Sequence, residues 1–514
     1  MNKKFKKMLM LMVAFLATTA FAACGDDDSD GGIVVDRMFV TPTTLSFTKD
    51  GGSKTVSVQS AVQASATSSA DWCAVVGGTQ STKLKVTPID VTVAANGTTA
   101  ARTATITITA GAETQTVVVT QEAGDGTAPE PDPDPTGSIT KNARQIAPLM
   151  CPGWNLGNTM EGGDNANNFK NVGITTETAW QGTKTTKEII DFVKASGFKS
   201  VRIPTAWVMG HITDADQVTI DEAWMARVKE IVNYCINNDL YVLLNDHWDG
   251  GWLENSFGDI SDATVAQNSE KLKKLWTQIA NAFKEYDDHL IFGGLNEPDC
   301  DTQAKTNALL KYEQAFIDAV RATGGNNAKR TLVVQGPTTD IDRTYNLMNV
   351  TKLNDPAGAG YLMVEVHYYN PPQFSGVWEN NQPIWFWGNG NHVSGDSHNA
   401  SSMEESFVQS QFQKMKTKFV DNGYPVILGE FGANWRELSA NQDKHDASVK
   451  LYHKVVTQYA IQSGMVPMVW DINVASRNGA NGVMTIINRA NRTIFCQPAM
   501  DGITEGVAAA TWPE

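Results

Sequence analysis

Basic residues are in short supply: 41 Lys and Arg stand against 56 Asp and Glu, a formal charge of −15. A surface of that sign repels phosphate, which excludes nucleic acid or an anionic membrane surface as the ligand and favours a neutral or weakly charged one. Cysteine is scarce as well, six in 514 residues. No Cys-x-x-Cys pair occurs and no His spacing suits zinc, so neither a metal nor another cofactor is expected. Beyond Cys24 the thiols are Cys73, Cys151, Cys235, Cys300 and Cys496, and five cannot all pair internally; mostly buried free thiols are expected. What the chain has in plenty is apolar: 41% hydrophobic residues and 14 Trp, enough for a large core with aromatic rings left for surfaces. A length of 514 implies two or three domains.

The chain opens on an export signal, residues 1–23: Lys3, Lys4, Lys6 and Lys7, an apolar run from Met8 to about Ala20, then small residues. The run is too short to span a bilayer. Phe21-Ala22-Ala23-Cys24 resembles a bacterial lipobox, which implies cleavage before Cys24 and lipidation of its thiol. Phe21 stands where Leu is usual, so ordinary signal-peptidase cleavage stays open. Asp26-Asp27-Asp28 resembles the acidic export tag of surface lipoproteins in some Gram-negative bacteria, and the expectation is an outer-membrane lipoprotein facing outward at the cell surface. Taken only as residues, 24–35 is a solvated tether.

From 36 to 123 the composition turns to Thr, Ser and Val. Thr103-Ala104-Thr105-Ile106-Thr107-Ile108 and Thr116-Val117-Val118-Val119-Thr120 alternate with period two, with turns such as Asp50-Gly51-Gly52 and Asn96-Gly97 between runs. That pattern predicts a small immunoglobulin-like β-sandwich. The series Leu45-Ser46-Phe47, Trp72, Arg102 to Ile106 and Val119-Thr120-Gln121 resembles the BACON domain, a module often fused ahead of carbohydrate-active enzymes. Trp72, the lone Trp of this stretch, is read as core and the domain as a spacer, with carbohydrate binding as the alternative. Residues 124–138, with Pro129, Pro131, Pro133 and Pro135 among acids, form a semi-rigid linker.

From 139 to 514 strand-like and helix-like stretches alternate. Strands are predicted near Gly153–Leu156, Ser200–Ile203, Tyr241–Asn245, Leu290–Leu295, Thr331–Gln335, Tyr361–Val366, Val426–Gly429 and Met465–Trp470, which fits an α/β fold, a (β/α)8 TIM barrel with loop insertions. The alternative is an open doubly wound sheet, but no Gly-x-Gly-x-x-Gly follows the first strand. Barrel chemistry sits at the C-terminal ends of the strands, and polar residues cluster there. Asn155 and Asn158 close the first strand, Arg202 lies in the second, and Asn245 and His247 follow the third. Asn296-Glu297 ends the fourth, His367 and Tyr369 the sixth, Glu430 the seventh and Trp470 the eighth. Two glutamates at strand tips, facing each other across a parallel barrel, are what the cleavage of a glycosidic bond requires.

Gly153-Trp154-Asn155-Leu156-Gly157-Asn158, Arg202-Ile203-Pro204, Asn245-Asp246-His247-Trp248, Leu295-Asn296-Glu297-Pro298, His367-Tyr368-Tyr369 and Gly429-Glu430-Phe431-Gly432, in this order, resemble glycoside hydrolase family 5. The opening motif and Thr176 to Trp180 look most like its subfamily 4 of endo-β-1,4-glucanases and xyloglucanases. Trp248 stands where many members carry a second His. The resemblance implies a retaining mechanism with Glu297 as acid/base and Glu430 as nucleophile, their carboxyls about 5–5.5 Å apart. It implies that Arg202 and Tyr369 hold Glu430, that His367 contacts Glu297, that Asn296 bonds the sugar 2-hydroxyl, and that Trp470 is the floor beneath the sugar. His247 completes the supporting set, and Asn158, Trp248 and Trp252 join Trp470 as substrate contacts. The charge of Glu430 is expected to raise the pKa of Glu297.

Phe374, Trp378, Trp385, Phe386 and Trp387 after the sixth strand, and Trp435 after Glu430, are read as rings lining an open cleft for a long neutral polysaccharide. The expected activity is endo-β-1,4-glucanase on a plant cell-wall β-glucan, xyloglucan preferred, by a monomeric enzyme. The alternatives are a mixed-linkage glucanase, cellulase or mannanase of the same fold, or a non-catalytic surface glycan-binding lipoprotein; the latter has no need of both glutamates.

Overall fold

A computed structural model of the protein describes residues 35, 37–49, 51–70, 72–81, 84–124, 135–163, 173–376, 382–477 and 479–513. The export signal with Cys24, most of the linker and Trp378 lie outside the described residues. The chain divides into two compact units, 1–130 and 131–514, a division that falls inside the segment read as a linker.

The first unit is two four-stranded sheets around one core. One sheet runs Phe39–Thr41, Gly52–Gln59, Val86–Val93, Cys73–Gly77, all antiparallel. The other runs Thr44–Phe47, Glu113–Gln121, Arg102–Ala110, Ser65–Ser68, its first pair parallel. Alternation does the sorting: Val56, Val58, Ile89, Val91, Ile106, Ile108, Val117 and Val119 point inward and are fully buried, while Ser57, Asp90, Thr107 and Val118 between them meet solvent wholly or in part. Trp72 is half-buried against this core, with the Arg102 guanidinium 4.3 Å from its ring centre.

The second unit is a closed barrel of eight parallel strands: β1 Gly153–Asn155, β2 Ser200–Ile203, β3 Tyr241–Asn245, β4 Leu290–Gly293, β5 Leu332–Gln335, β6 Leu362–Tyr368, β7 Val426–Phe431 and β8 Met465–Val469, with β8 pairing back to β1. A helix follows each: α1 Lys187–Ala195, α2 Glu222–Ile236, α3 Asp262–Ala282, α4 Gln303–Ala322, α5 Ile341–Leu347, α6 Glu405–Lys418, α7 Gln442–Gln462 and α8 Gln497–Ala508. Asp221, Ser261, Thr302 and Asp340 cap the N-termini of α2 to α5 through their side-chain oxygens.

Period-two alternation also explains where the polar residues go. Val242, Leu244, Phe292, Val364, Val366, Val426 and Leu428 face the helices, whereas Leu243, Ile291, Val333, Met363, Ile427 and Met468 fill the lower barrel with Ala143, Ile146 and Met150. One step of two farther along the same inward faces come Asn155, Arg202, Gln335, Glu365 and His367, a polar layer above the apolar one. Register shifts between Val366 and His367, and between Leu428 and Phe431, bend the tips of β6 and β7. Cys73, Cys151, Cys235, Cys300 and Cys496 are free thiols, all buried except the half-buried Cys151.

Candidate active site

Arg202 is the hub of the polar layer. It has no exposed surface, and its guanidinium donates to Glu430 Oε1 at 2.9 Å, to Asn155 Oδ1 at 3.1 Å and to Asn296 Oδ1 at 2.8 Å, with Nε 3.0 Å from Glu365 Oε1. A fully buried cation is tolerated only with such partners. Tyr369 donates its hydroxyl to Glu430 Oε2 at 2.9 Å, so both oxygens of that carboxylate are held. Asn155 donates to the carbonyls of Gly429, Met468 and Val469 and so ties the tip of β7 to β8. Gly429 is there for space: a Cβ would lie 1.9 Å from Glu365 Oε1.

Glu297 stands across from Glu430. An oxygen of each, together with a ring nitrogen of His367, lies within 4.8 Å of the others. The side chain of Glu297 is 40% exposed and that of Glu430 8%. His367 Nδ1 is 2.6 Å from Glu297 Oε1, and Nε2 is 3.2 Å from Glu365 Oε1. Burial alone would lower the histidine, but the charge of Glu430 and the bonds to Glu297 and Glu365 outweigh it and push its pKa up to about 10. Protonated, the ring donates from both nitrogens, one to Glu297 and one to Glu365. The direction at Glu297 corrects the sequence expectation. Burial raises it, but the hydrogen bond and charge of His367, followed by the charge of Arg202, bring it below the usual carboxylate range.

The remaining expected residues flank this cluster. His247, driven well below its usual pKa by burial and by the charges of Arg202 and His367, is neutral; its ring lies near-parallel to Trp470 at 5.8 Å. The Trp470 indole is half-buried and rests on Gly157, where a Cβ would meet its ring at 3.0 Å. Asn158 adopts φ +56 and donates its backbone N–H to the buried Glu161, whose pKa burial raises to about 7. Trp248 is half-buried on the β3–α3 connection. Trp252, beside it, bonds Asp246 and has the Lys271 ammonium 4.2 Å from its ring centre, so one face is already occupied.

The long β6–α6 insertion departs from expectation. Phe374, Phe386 and Trp387 are 0–1% exposed. Phe374 and Trp387 pack on Tyr452, and Trp387 donates its indole N–H to Met403 O. These rings anchor the loop instead of lining a cleft, because an apolar ring with a core within reach gains more by leaving water. Trp435 is tied to Asp446 at 2.8 Å and has Arg477 over its face, and Trp385 stacks on His398; both stay half-buried.

Two acidic residues of the site were not singled out from sequence. Glu365 is a carboxylate inside the apolar run Leu362-Met363-Val364-Glu365-Val366, and that mismatch was the available signal. Glu254, on the β3–α3 connection, accepts from Glu297 N at 2.9 Å and from Asn296 Nδ2 at 3.2 Å.

Comparison with known proteins agrees with this geometry. The model of cellulase, glycosyl hydrolase family 5, matches residues 163–476, and that of the BACON domain matches 61–122. Endoglucanase A of Paenibacillus barcinonensis is 34% identical over 387 residues, covering 71% of this chain and 90% of the relative. The xyloglucan-specific endo-β-1,4-glucanase BoGH5A of Bacteroides ovatus is 29% identical over 480 residues and covers 91% of both chains. Among solved structures, XEG5B, a xyloglucan-specific β-1,4-glucanase from a ruminal metagenomic library, is 48% identical with a TM-score of 0.68, covering 73% of this chain and 98% of that one. The barrel, its polar layer and a family match over more than half the chain lead to one conclusion: this protein belongs to glycosyl hydrolase family 5.

Proposed function

We propose that the protein is a retaining endo-β-1,4-glucanase whose preferred substrate is xyloglucan. The observation that carries the mechanism is the approach of Glu297 and Glu430 oxygens to within 4.8 Å. Inverting pairs stand about 6.5–9.5 Å apart to admit a water, whereas retaining pairs meet at about 5–5.5 Å. Glu430, gripped on both oxygens, attacks the anomeric carbon; Glu297 gives a proton to the leaving glycosidic oxygen and then takes one from water as the glycosyl-enzyme is hydrolysed.

The proton balance supports this division. Arg202 and the His367 cation face three carboxylates, Glu297, Glu365 and Glu430, so the fully ionised cluster carries a formal charge of 2 − 3 = −1. Of the three, Glu297 is by far the most exposed. A bound sugar covers that surface and strips its water, which favours the neutral acid. Asn296 keeps a second amide N–H for the sugar 2-hydroxyl, and Trp470 offers its face to the ring.

The substrate preference is supported by the xyloglucan-specific relatives that match most of the barrel or of the whole chain. A panel of xyloglucan, mixed-linkage β-glucan, carboxymethylcellulose and glucomannan tests it. We expect the highest kcat/KM on xyloglucan, with reducing ends released and the β-configuration retained. A higher value on another glucan would replace the substrate, and no release from any of the four would leave a glycan-binding protein.

The proposal extends to location. Lys3 to Lys7, the apolar run and Phe21-Ala22-Ala23-Cys24 support a lipid anchor at Cys24, and Asp26-Asp27-Asp28 supports display outside the outer membrane. Such an anchor would hold the enzyme where a polysaccharide too large to enter the cell is met. Cys24→Ser is expected to abolish incorporation of a fatty-acid label and to release the enzyme into the medium or periplasm; a label that persists would overturn the anchor.

A further inference from the structure

The tip of β4 needs external support. Between Gly293 and the start of α4 at Gln303 the chain has no regular structure, and Pro298 directly after Glu297 has no N–H to donate. Yet the acid/base must be held to a fraction of an ångström to be effective. Gln335 Oε1 takes the Leu295 N–H at 2.8 Å on one side. On the other side Asn245 Nδ2 donates to Leu295 O at 3.2 Å, and beyond that point one residue of the β3–α3 connection takes several bonds. Glu254 Oε2 accepts from Asn296 Nδ2 and from Glu297 N, and the backbone carbonyl of Glu254 accepts from Asp299 N at 3.0 Å. Three groups of the loop, the Asn296 amide and the N–H groups of Glu297 and Asp299, are thus bonded to one glutamate.

The same glutamate closes a path between the two reacting carboxylates. Glu430 accepts from Arg202, Arg202 donates to Asn296, Asn296 donates to Glu254, and Glu254 accepts from the backbone of Glu297. This path is separate from the one through His367. It also fixes which way the Asn296 amide points, since its oxygen faces a cation and its nitrogen an anion.

We propose that Glu254 is a positioning residue of the reaction, fixing the Asn296–Glu297 tip and supporting the protonated form of Glu297 through its own charge. This rests on the assignment of Glu297 as acid/base. The charged groups acting on Glu254 are the carboxylates of Glu297 and Glu430; burial first, then those charges, raise its pKa to about 7. Its charge appears as pH climbs toward neutrality, and it meets the acid form of Glu297 there once a bound sugar has stripped that carboxyl of water and raised it. A negative charge arriving there holds the proton on Glu297 to a higher pH.

Glu254→Gln keeps the acceptor oxygen and removes the charge, whereas Glu254→Ala removes both. For Glu254→Gln the alkaline limb of kcat on the polysaccharide, which reports the substrate complex, should move to lower pH by roughly one unit, with the peak kcat near wild type. For Glu254→Ala we expect kcat on the polysaccharide to fall about 10- to 100-fold with KM changed less than about threefold. Its kcat/KM on 2,4-dinitrophenyl β-cellobioside, whose leaving group departs without a proton, should stay within about threefold of wild type. A Glu254→Gln profile that overlays wild type, or an equal loss on both substrates in Glu254→Ala, overturns the inference. Glu297→Ala, run alongside, reports on the underlying assignment: if it keeps polysaccharide activity, that assignment fails, whatever Glu254 does.

Discussion

Glu430→Ala is expected to lower kcat/KM on β-glucan by roughly four orders of magnitude or more, about 5.5 kcal/mol of transition-state stabilisation, while leaving substrate affinity within a few-fold. The reason lies in what Glu430 contributes and in what remains without it. Its carboxylate receives Arg202 on one oxygen and Tyr369 on the other. Neither carboxylate that shares its cations takes its place: Glu365 is wholly buried below, against Arg202, and Glu297 is committed to His367. Sugar binding, by contrast, is spread over Trp470 and the polar groups around the cleft, so affinity survives. Azide offered to the variant with an activated glycoside should enter the vacated position and give the α-glycosyl azide; a β-product would assign the nucleophile elsewhere. Retention of more than about one per cent of activity would do the same.

The second large effect is on stability. Arg202→Met removes the larger of the two cations shared by Glu365 and Glu430 and leaves both carboxylates in a dry layer with His367 alone. Breaking a buried pair in this way costs about 3–5 kcal/mol, a Tm loss on the order of 5 °C for a barrel of this size. The pH dependence carries a sign that separates this cause from simple loss of packing. In the intact protein burial raises Glu365, but Arg202, His367 and Gln335 outweigh it and hold its pKa below the usual value. Its contribution to stability is therefore present above the ordinary Glu range and lost as pH falls through the folded value. Without Arg202 the largest of those lowering charges is gone and burial pushes the pKa up against His367 and Gln335 alone, so the stability difference between the two proteins grows as pH climbs. The gap in Tm between the two proteins should be wider at pH 8 than at pH 5. Thermal melts at both values decide it, and an equal gap would mean that the ion pair is not the source.

The barrel strands were legible because each is a short, mostly apolar stretch of three to seven residues, most of them ending in a polar residue or a turn. The site was legible where chemistry sits at such an end: Glu297 after β4, Glu430 in β7, Arg202 in β2. Glu365 was hidden for the opposite reason. It lies inside its run, and its partner Arg202 is remote in sequence, so only the closed barrel brings them together. Glu254 was hidden because a loop glutamate is ordinarily solvated, and nothing local marks it as the acceptor for a backbone N–H of β4. The protonation of Glu297 was misjudged because the chain shows which groups approach but not that His367 sits between two carboxylates and becomes a cation. The rings of the β6–α6 insertion were misjudged because Phe374 and Trp387 read the same whether they face a sugar or Tyr452.

Those rings bear on how the enzyme can change over time. The insertion is fastened at its feet by Phe374 and Trp387 on α7 and by Ser448, whose hydroxyl accepts from the Trp387 N–H at 2.9 Å. A substitution at either foot therefore disturbs the packing of α7 as well as the loop, so these positions change only together with the helix they grip.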